Sequence, residues 1–185
     1  GKWIAYATNH TGRPEDDVNS VMIRRPPGKA DVRRVSRGRA DADLQPRFSA
    51  DGRRLFFHGW NDPACAFSRQ ELFAVDLAAE NAAPRPLLAG VGRDVEDFEP
   101  LADGRVAALV AWGMESRLVV ADPESGTAEV LPIEGFNFTE LVAARRAPVV
   151  AVLAEGPDAP PEAGTIDLEK KGFAPRTDRT PEARA

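Results

Sequence analysis

Two histidines, one cysteine and a short acidic run are the residues of this 185-residue chain whose types could do chemistry. His10 lies in Asn9-His10-Thr11-Gly12, a turn composition. His58 directly follows the apolar run Leu55-Phe56-Phe57. A catalytic histidine needs a nucleophile on one side and an orienting carboxylate on the other. Neither histidine stands in such a setting, so His10 reads as a surface turn residue and His58 as a strand-end histidine satisfied locally. Asp94, Glu96, Asp97 and Glu99 alternate with Val95 and Phe98. Clustered carboxylates could bind calcium or a substrate amine. The Asp-x-Asp-x-Asp-Gly spacing of a calcium loop is missing, however, and the plainer reading is a solvated acidic loop edge. Cys65 is the single cysteine, which excludes an internal disulfide and a cysteine zinc site. It reads as a small buried filler. The expectation is a chain with no catalytic, cofactor-binding or metal-ligating residue of its own.

Charge adds one asymmetry. Residues 24 to 54 carry ten Lys or Arg against four Asp, within a chain of net charge -5. Such an imbalance could mark an anionic partner or the docking face for another domain. Solvated arginines on successive turns are the blander explanation. No stacking aromatics are interleaved with them, and the overall charge is negative, so nucleic acid is not an expected partner. No apolar run approaches the roughly 18 residues of a membrane helix, so no membrane is expected either. Asn9-His10-Thr11 and Asn137-Phe138-Thr139 fit the glycosylation pattern but read as chance. Gly90-Val91-Gly92 lacks the third glycine of a nucleotide fingerprint.

The elements that must position these residues are short. Sixteen prolines and fifteen glycines punctuate the chain, and proline interrupts helices by removing a donor and clashing with the preceding turn. The longest stretch free of both runs from Ala64 to Ala83, where Gln70 to Ala83 is a fair helix candidate. Elsewhere the apolar runs are brief and rich in Val, Leu and Phe: Leu55-Phe56-Phe57, Ala107 to Ala111, Leu118-Val119-Val120 and Val149 to Leu153. Short apolar runs between turn residues predict strands.

An internal repeat organises them. Phe48-Ser49-Ala50-Asp51-Gly52-Arg53-Arg54-Leu55-Phe56-Phe57 returns as Leu101-Ala102-Asp103-Gly104-Arg105-Val106-Ala107-Ala108-Leu109. Gly1-Lys2-Trp3-Ile4-Ala5-Tyr6 matches its second half, and Leu141 to Val150 is a degenerate copy with Arg145 at the glycine position. A second strand follows in each unit: Ser20 to Ile23, Glu71 to Leu77, Arg117 to Asp122 and Thr165 to Leu168. A third apolar pulse comes at Val32 with Val35, at Pro86-Leu87-Leu88, and at Val130-Leu131. Asp-Gly between strands is a tight hairpin turn, because glycine accepts the positive φ the turn demands. Each unit therefore reads as about four short strands over roughly 40–50 residues, the size of a β-propeller blade. The predicted fold is all-β: a partial β-propeller of about four antiparallel blades over residues 1–169, with units starting near 1, 46, 99 and 139. A polar tail or linker is expected over 170–185. Trp3, Trp60 and Trp112 read as blade-packing residues.

The stretch Pro46 to Phe57 resembles the WD-like repeat shared by TolB-type propellers and the propellers of prolyl oligopeptidase-family serine peptidases. That pattern is a proline, an aromatic, Ser-Pro-Asp-Gly, basic residues and an apolar strand. Glu71 to Leu77 is similar to its companion strand. Gly1 to Tyr6 resembles the motif with its first half removed, which implies a cut chain. Ala159-Pro160-Pro161-Glu162 with Thr165 to Leu168 resembles the last propeller strand before the hydrolase domain in acylaminoacyl- and dipeptidyl-peptidase-like members. Gly59-Trp60-Asn61-Asp62-Pro63 is similar to the same branch. The chain departs from the pattern at Ala50, where proline is usual, and at Ala144-Arg145, where Asp-Gly is usual.

The resemblance implies a parent enzyme whose serine nucleophile lies in Gly-x-Ser-x-Gly on an α/β-hydrolase domain. No two glycines of this chain are four apart, so the motif is absent from it. The implied role is a non-catalytic propeller that gates peptide access to a hydrolase domain of the same parent protein, inactive by itself. The implied partners are that domain and the peptides passing it. A TolB-like protein-interaction propeller is the alternative, and a lactonase- or glycosidase-type propeller using the acidic run is a third. No basic-then-apolar leader precedes the first strand, so a cytoplasmic location is expected, or a periplasmic one if a leader was removed.

Overall fold

The computed structural model describes residues 2–9, 19–26, 32–36, 45–62, 65, 68–79, 82–157 and 159–177. Every regular element among them is a β-strand, and the strands form four antiparallel sheets. In the helix candidate at 70–83, residues 70–76 form a strand instead and 77–79 a bend. Its Leu72, Phe73, Ala74 and Val75 are all buried, and a strand buries consecutive residues only when both faces are covered.

The chain divides into two compact units of two sheets each. In the first unit, β1 (Ile4–Asn9), β2 (Asn19–Arg24) and β3 (Val32–Arg34) form a three-stranded sheet. Next come β4 (Arg47–Phe48), β5 (Arg54–Trp60), β6 (Gln70–Asp76) and β7 (Arg85–Pro86), in that spatial order. Val21, Ile23 and Val35 pack against Leu55, Phe57, Phe73 and Val75 to form the core between these sheets. Phe57 and Phe73 are register partners with ring centroids 5.7 Å apart.

The second unit repeats the plan. One sheet holds β8 (Val95–Pro100), β9 (Val106–Trp112), β10 (Glu115–Asp122) and β11 (Thr127–Val130). The other holds β12 (Asn137–Ala143), β13 (Val149–Gly156), β14 (Ala159–Asp167) and β15 (Gly172–Pro175). Leu109, Leu118 and Leu131 meet Phe138, Val150, Val152 and Ile166 in one core. The fourth sheet thus extends into the segment read as a tail from residue 170, because β15 pairs with β14 from Asp167↔Gly172 to Gly164↔Pro175. Residues 178–185 lie outside the described residues.

The predicted hairpins carry the expected chemistry. Gly52 has φ +70° and Gly104 has φ +91°. The Ser49 hydroxyl donates to Asp51 Oδ1 at 2.6 Å, and the same oxygen accepts the Arg53 N–H at 3.0 Å. Arg105 N–H donates to Asp103 Oδ1 in the equivalent turn. The fourth unit departs from this. Its β12–β13 connection is closed by Ala144 N–H to Val149 C=O, the same span as Ser49 N–H to Arg54 C=O in the second sheet, but Arg145 is not at positive φ. Arginine takes the left-handed conformation only at a cost, so this turn is built without it.

A second set of aspartates ends the third strand of each sheet of this size. Asp76 accepts the Ala78 N–H, Asp122 the Glu124 N–H, and Asp167 the N–H groups of Glu169 and Lys170. The Glu124 N–H and the Ser125 hydroxyl hold Asp122 below the usual carboxylate range. The Ser49 hydroxyl and then the Arg53 N–H do the same for Asp51. A depressed folded pKa contributes stability that is full above the unfolded value and lost as pH falls through the folded one. We expect the double variant Asp51→Asn/Asp122→Asn, which keeps one acceptor oxygen at each turn, to lose less melting temperature than the wild type between about pH 4 and about pH 2. Parallel acid limbs in a thermal-melt series would refute this.

Gly164 is the most closely enclosed of the described glycines. A Cβ there would stand 2.1 Å from Cε2 of Phe173. The Phe173 ring lies 4.8 Å from Phe136 and 5.7 Å from Phe138, centroid to centroid. Gly164→Ala must push Phe173 out of that cluster, and overpacking of this kind costs about 1–3 kcal/mol. Urea denaturation is expected to show the loss; an unchanged midpoint would mean the ring moves aside freely.

Candidate functional site

The described residues singled out in the sequence fall on separate elements. His10 lies outside the described residues. His58 is buried on β5, with 1% of its surface exposed, as register partner of Leu72. It shares a face with Phe56, because residues two apart on a strand point the same way. Cys65 is exposed, which corrects its reading as a buried filler. It sits in the β5–β6 connection, where its N–H and C=O close turns to Asp62 and Ser68 rather than filling a core. Asn137 is exposed at the head of β12, and Gly92 ends a turn at φ +69°.

The acidic run is a strand rather than a loop edge. Val95 and Phe98 of β8 point into the core, with a register shift between Val95 and Asp97. That bulge places one more residue on this strand than on its partner, which re-aims the carboxylates between the two apolar anchors. Asp97 turns to structural work: Oδ1 accepts the Phe98 N–H at 2.8 Å and Oδ2 accepts the Leu141 N–H at 3.2 Å. It thereby ties the third sheet to the fourth. Glu96 stays exposed, and desolvation followed by the nearby Asp94 charge raises its carboxyl above the ordinary value. Among the described residues no three His, Cys, Asp or Glu side chains gather as a metal site.

Other polar positions were not foreseen. Glu71 is buried on β6, where its Oε1 accepts the N–H groups of Leu88 at 3.1 Å and Leu72 at 3.2 Å. Its Oε2 meets the Arg69 guanidinium at 3.3 Å. The carboxylate thus holds the bend after β7 against β6. Glu71 pairs with Gly59, so it lies on the face opposite His58, and the two do not form an acid–base pair. Ser116 exchanges hydrogen bonds with the backbone of Phe138, donating to its C=O at 3.0 Å. Arg117 donates to the Ile133 C=O at 2.8 Å and pairs with Glu115 at 3.0 Å. A lone acidic residue heading the apolar run Leu72-Phe73-Ala74-Val75 was the available signal for Glu71; nothing local marked Ser116.

Two hollows remain. One, in the first unit, has a volume of about 480 Å³ and is lined by Lys2, Trp3, Phe48 and the turn from Ser49 to Arg53. The other, in the second unit, is about 330 Å³, between Leu101–Asp103, Arg146–Pro148 and Glu169. The Trp3 ring carries the Arg25 guanidinium at 4.5 Å and that of Arg33 at 5.0 Å. Trp112 carries Arg93 at 4.6 Å. These half-buried indoles therefore do more than pack sheets: they hold cations by their π faces. What the arrangement offers chemically is binding.

Glu71 gives a test of the buried network. Glu71→Ala would leave the Leu88 N–H without its acceptor and is expected to cost about 1–3 kcal/mol. Burial raises the Glu71 carboxyl, against the Arg69 and Leu88 contacts that lower it. With the folded value raised, its stabilisation is full below the ordinary glutamate value and is lost as pH rises through the folded one. Wild-type stability relative to Glu71→Gln should therefore fall as pH rises above the ordinary glutamate range in urea titrations. A gap that stays constant or widens would contradict this.

No protein-family model and no curated protein matches the sequence. Solved structures do. A puromycin-hydrolyzing peptidase from Mycobacterium tuberculosis matches 98% of this chain with a TM-score of 0.73 at 19% identity. A puromycin hydrolase matches 95% with a TM-score of 0.68 at 20% identity. TolB from Acinetobacter baumannii matches 95% with a TM-score of 0.65 at 15% identity. The chain spans 28% and 29% of those two hydrolases and 41% of that TolB. At such identities the likeness shows the fold: the four sheets are blades of a partial β-propeller, of the kind found in prolyl oligopeptidase-type peptidases and in TolB.

Proposed function

We propose that this chain is the non-catalytic propeller portion of a prolyl oligopeptidase-type serine peptidase and gates peptide access to an α/β-hydrolase domain of the same parent protein. The observation that carries this reading is the match over 98% of the chain to a puromycin-hydrolyzing peptidase at a TM-score of 0.73. The resemblance of Pro46–Phe57 and Ala159–Leu168 to peptidase propellers supports it from the sequence side. In physical terms the chain supplies a size filter. Sheets cored by side chains such as Phe57, Phe73, Phe138 and Ile166 are dense and resist deformation. A polypeptide that must pass such a wall is selected by its width before it reaches any nucleophile.

The likeness to TolB over 95% of the chain favours a second reading, a propeller that binds other proteins and has no hydrolase partner. The two readings part in a direct assay. The purified chain should hydrolyse neither acyl-peptide nor dipeptide chromogenic substrates. In the parent protein, deleting the propeller should raise kcat/KM for long peptides relative to short ones by about ten-fold, equivalent to removing a barrier of about 1.4 kcal/mol. Unchanged length selectivity would sink the gating role, and a parent protein without a hydrolase would leave the TolB-like reading.

A further inference from the structure

The chain has two methionines, and the fold treats them in opposite ways. We infer that Met114 is an oxidation site: its thioether takes up one oxygen from hydrogen peroxide while the sheets stay folded, and Met22 is shielded from the same reagent. This does not rest on the peptidase reading and applies equally to a protein-binding propeller.

Three observations carry it. First, Met114 is displayed. Its surface is 96% exposed, more than that of any other large apolar residue among those described. The turn that carries it is tight. Trp112 and Glu115 are register partners, which leaves Gly113 and Met114 as the two loop residues between β9 and β10. Gly113 has φ +71°. Glycine at the first position of a two-residue hairpin loop is the type II′ pattern, whose twist matches that of the flanking strands.

Second, the base of this hairpin is fixed by groups other than Met114. Glu115 Oε2 accepts the Gly135 N–H at 3.2 Å and meets the Arg117 guanidinium at 3.0 Å. The Ser116 N–H donates to the Phe136 C=O at 3.3 Å, and its hydroxyl to the Phe138 C=O at 3.0 Å. A change confined to the Met114 side chain leaves all of these bonds in place.

Third, Met22 is enclosed. It lies in β2, the middle strand of the first sheet, as register partner of Tyr6 on one side and Arg34 on the other. Its neighbours Val21 and Ile23 are fully buried, and Met22 itself is covered for the most part. Access of a reagent to its sulfur is correspondingly restricted.

The step balances. A sulfur lone pair attacks one peroxide oxygen, and the S–O bond forms as the O–O bond breaks. The departing hydroxide takes the proton of the transferred hydroxyl and leaves as water. Sulfur loses the two electrons that the peroxide gains. The product is a polar sulfoxide where an apolar, flexible thioether stood. At the hairpin tip that oxygen faces solvent, so no core has to accommodate it.

The test treats the full chain with hydrogen peroxide and follows each methionine by tandem mass spectrometry. The exposed Cys65 thiol is followed separately. Met114 should gain its oxygen at least about ten-fold faster than Met22 in the folded chain, and the two rates should converge to within about two-fold in urea, since susceptibility follows exposure. The melting temperature should stay near its untreated value while Met114 is converted. Met114→Leu should abolish the fast methionine event, and Met22→Leu should leave it unchanged. Oxidation of Met22 as fast as that of Met114 in the folded chain would overturn the proposal. So would a melting temperature that falls in step with Met114 conversion, or a fast methionine event that survives Met114→Leu.

Discussion

The middle strands of the second and third sheets are buried on both faces, and that constraint governs much else in the molecule. Leu55, Phe56 and Phe57 of β5 are fully buried in succession, as are Val106, Ala107 and Ala108 of β9. A strand of this kind has no face to give to water. A single four-stranded sheet would expose such side chains on both sides, so each sheet needs a neighbour. Leu55 and Phe57 find theirs in Val21 and Ile23, and Leu109 and Leu118 find theirs in Phe138 and Val150. Transfer of one such side chain from water is worth about 1.5–3 kcal/mol. Stacking sheet on sheet is therefore the condition under which the hairpins exist at all.

Apolar faces give adhesion but little register, and polar groups supply that. Asp97 reaches from β8 to the Leu141 N–H, and Ser116 from β10 to the Phe138 backbone. Both act on β12, whose own strand is irregular: its register shifts between Thr139 and Val142, and Glu140 has φ +55°. The irregular strand is thus the one clasped by side chains of the preceding sheet. A buried backbone donor left without a partner costs about as much as a lost hydrogen bond, so these contacts select one alignment of the two sheets. Glu71 does comparable work within the second sheet, satisfying the Leu88 N–H beyond the end of β7.

The same economy shapes the surface available for function. Conserving its polar groups for turns and strand ends, the chain commits Asp51, Asp103, Asp122 and Asp167 to backbone N–H groups. The acidic run of β8 gives Asp97 to the neighbouring sheet. The expected separation of labour, with peptide handling here and bond cleavage on another domain, is the reading proposed for the parent protein.

Local rules made much of this legible. The Asp51-Gly52 and Asp103-Gly104 turns, the second strand of each repeat and the third strand of the first three follow from glycine's freedom at positive φ and from short apolar runs. They are where such rules predict them. The first strand of the third sheet was not legible. In Asp94 to Glu99 the charged residues outnumber the apolar ones, and only the cores behind Val95 and Phe98 make the segment a strand. The strand β15 was hidden for a similar reason: Gly172 to Pro175 has a single large apolar residue, Phe173, which acquires meaning only against Phe136 and Phe138. Cys65 and Glu71 exchange their expected places, the thiol outside and the carboxylate inside. Burial depends on what the rest of the chain brings near a residue, and no window of sequence contains that. The sequence by itself determined the repeat, its hairpins and its all-β character. Tertiary structure alone decided which carboxylates became structural ties and which cations met at Trp3, because both depend on residues tens of positions apart being brought within a few ångströms.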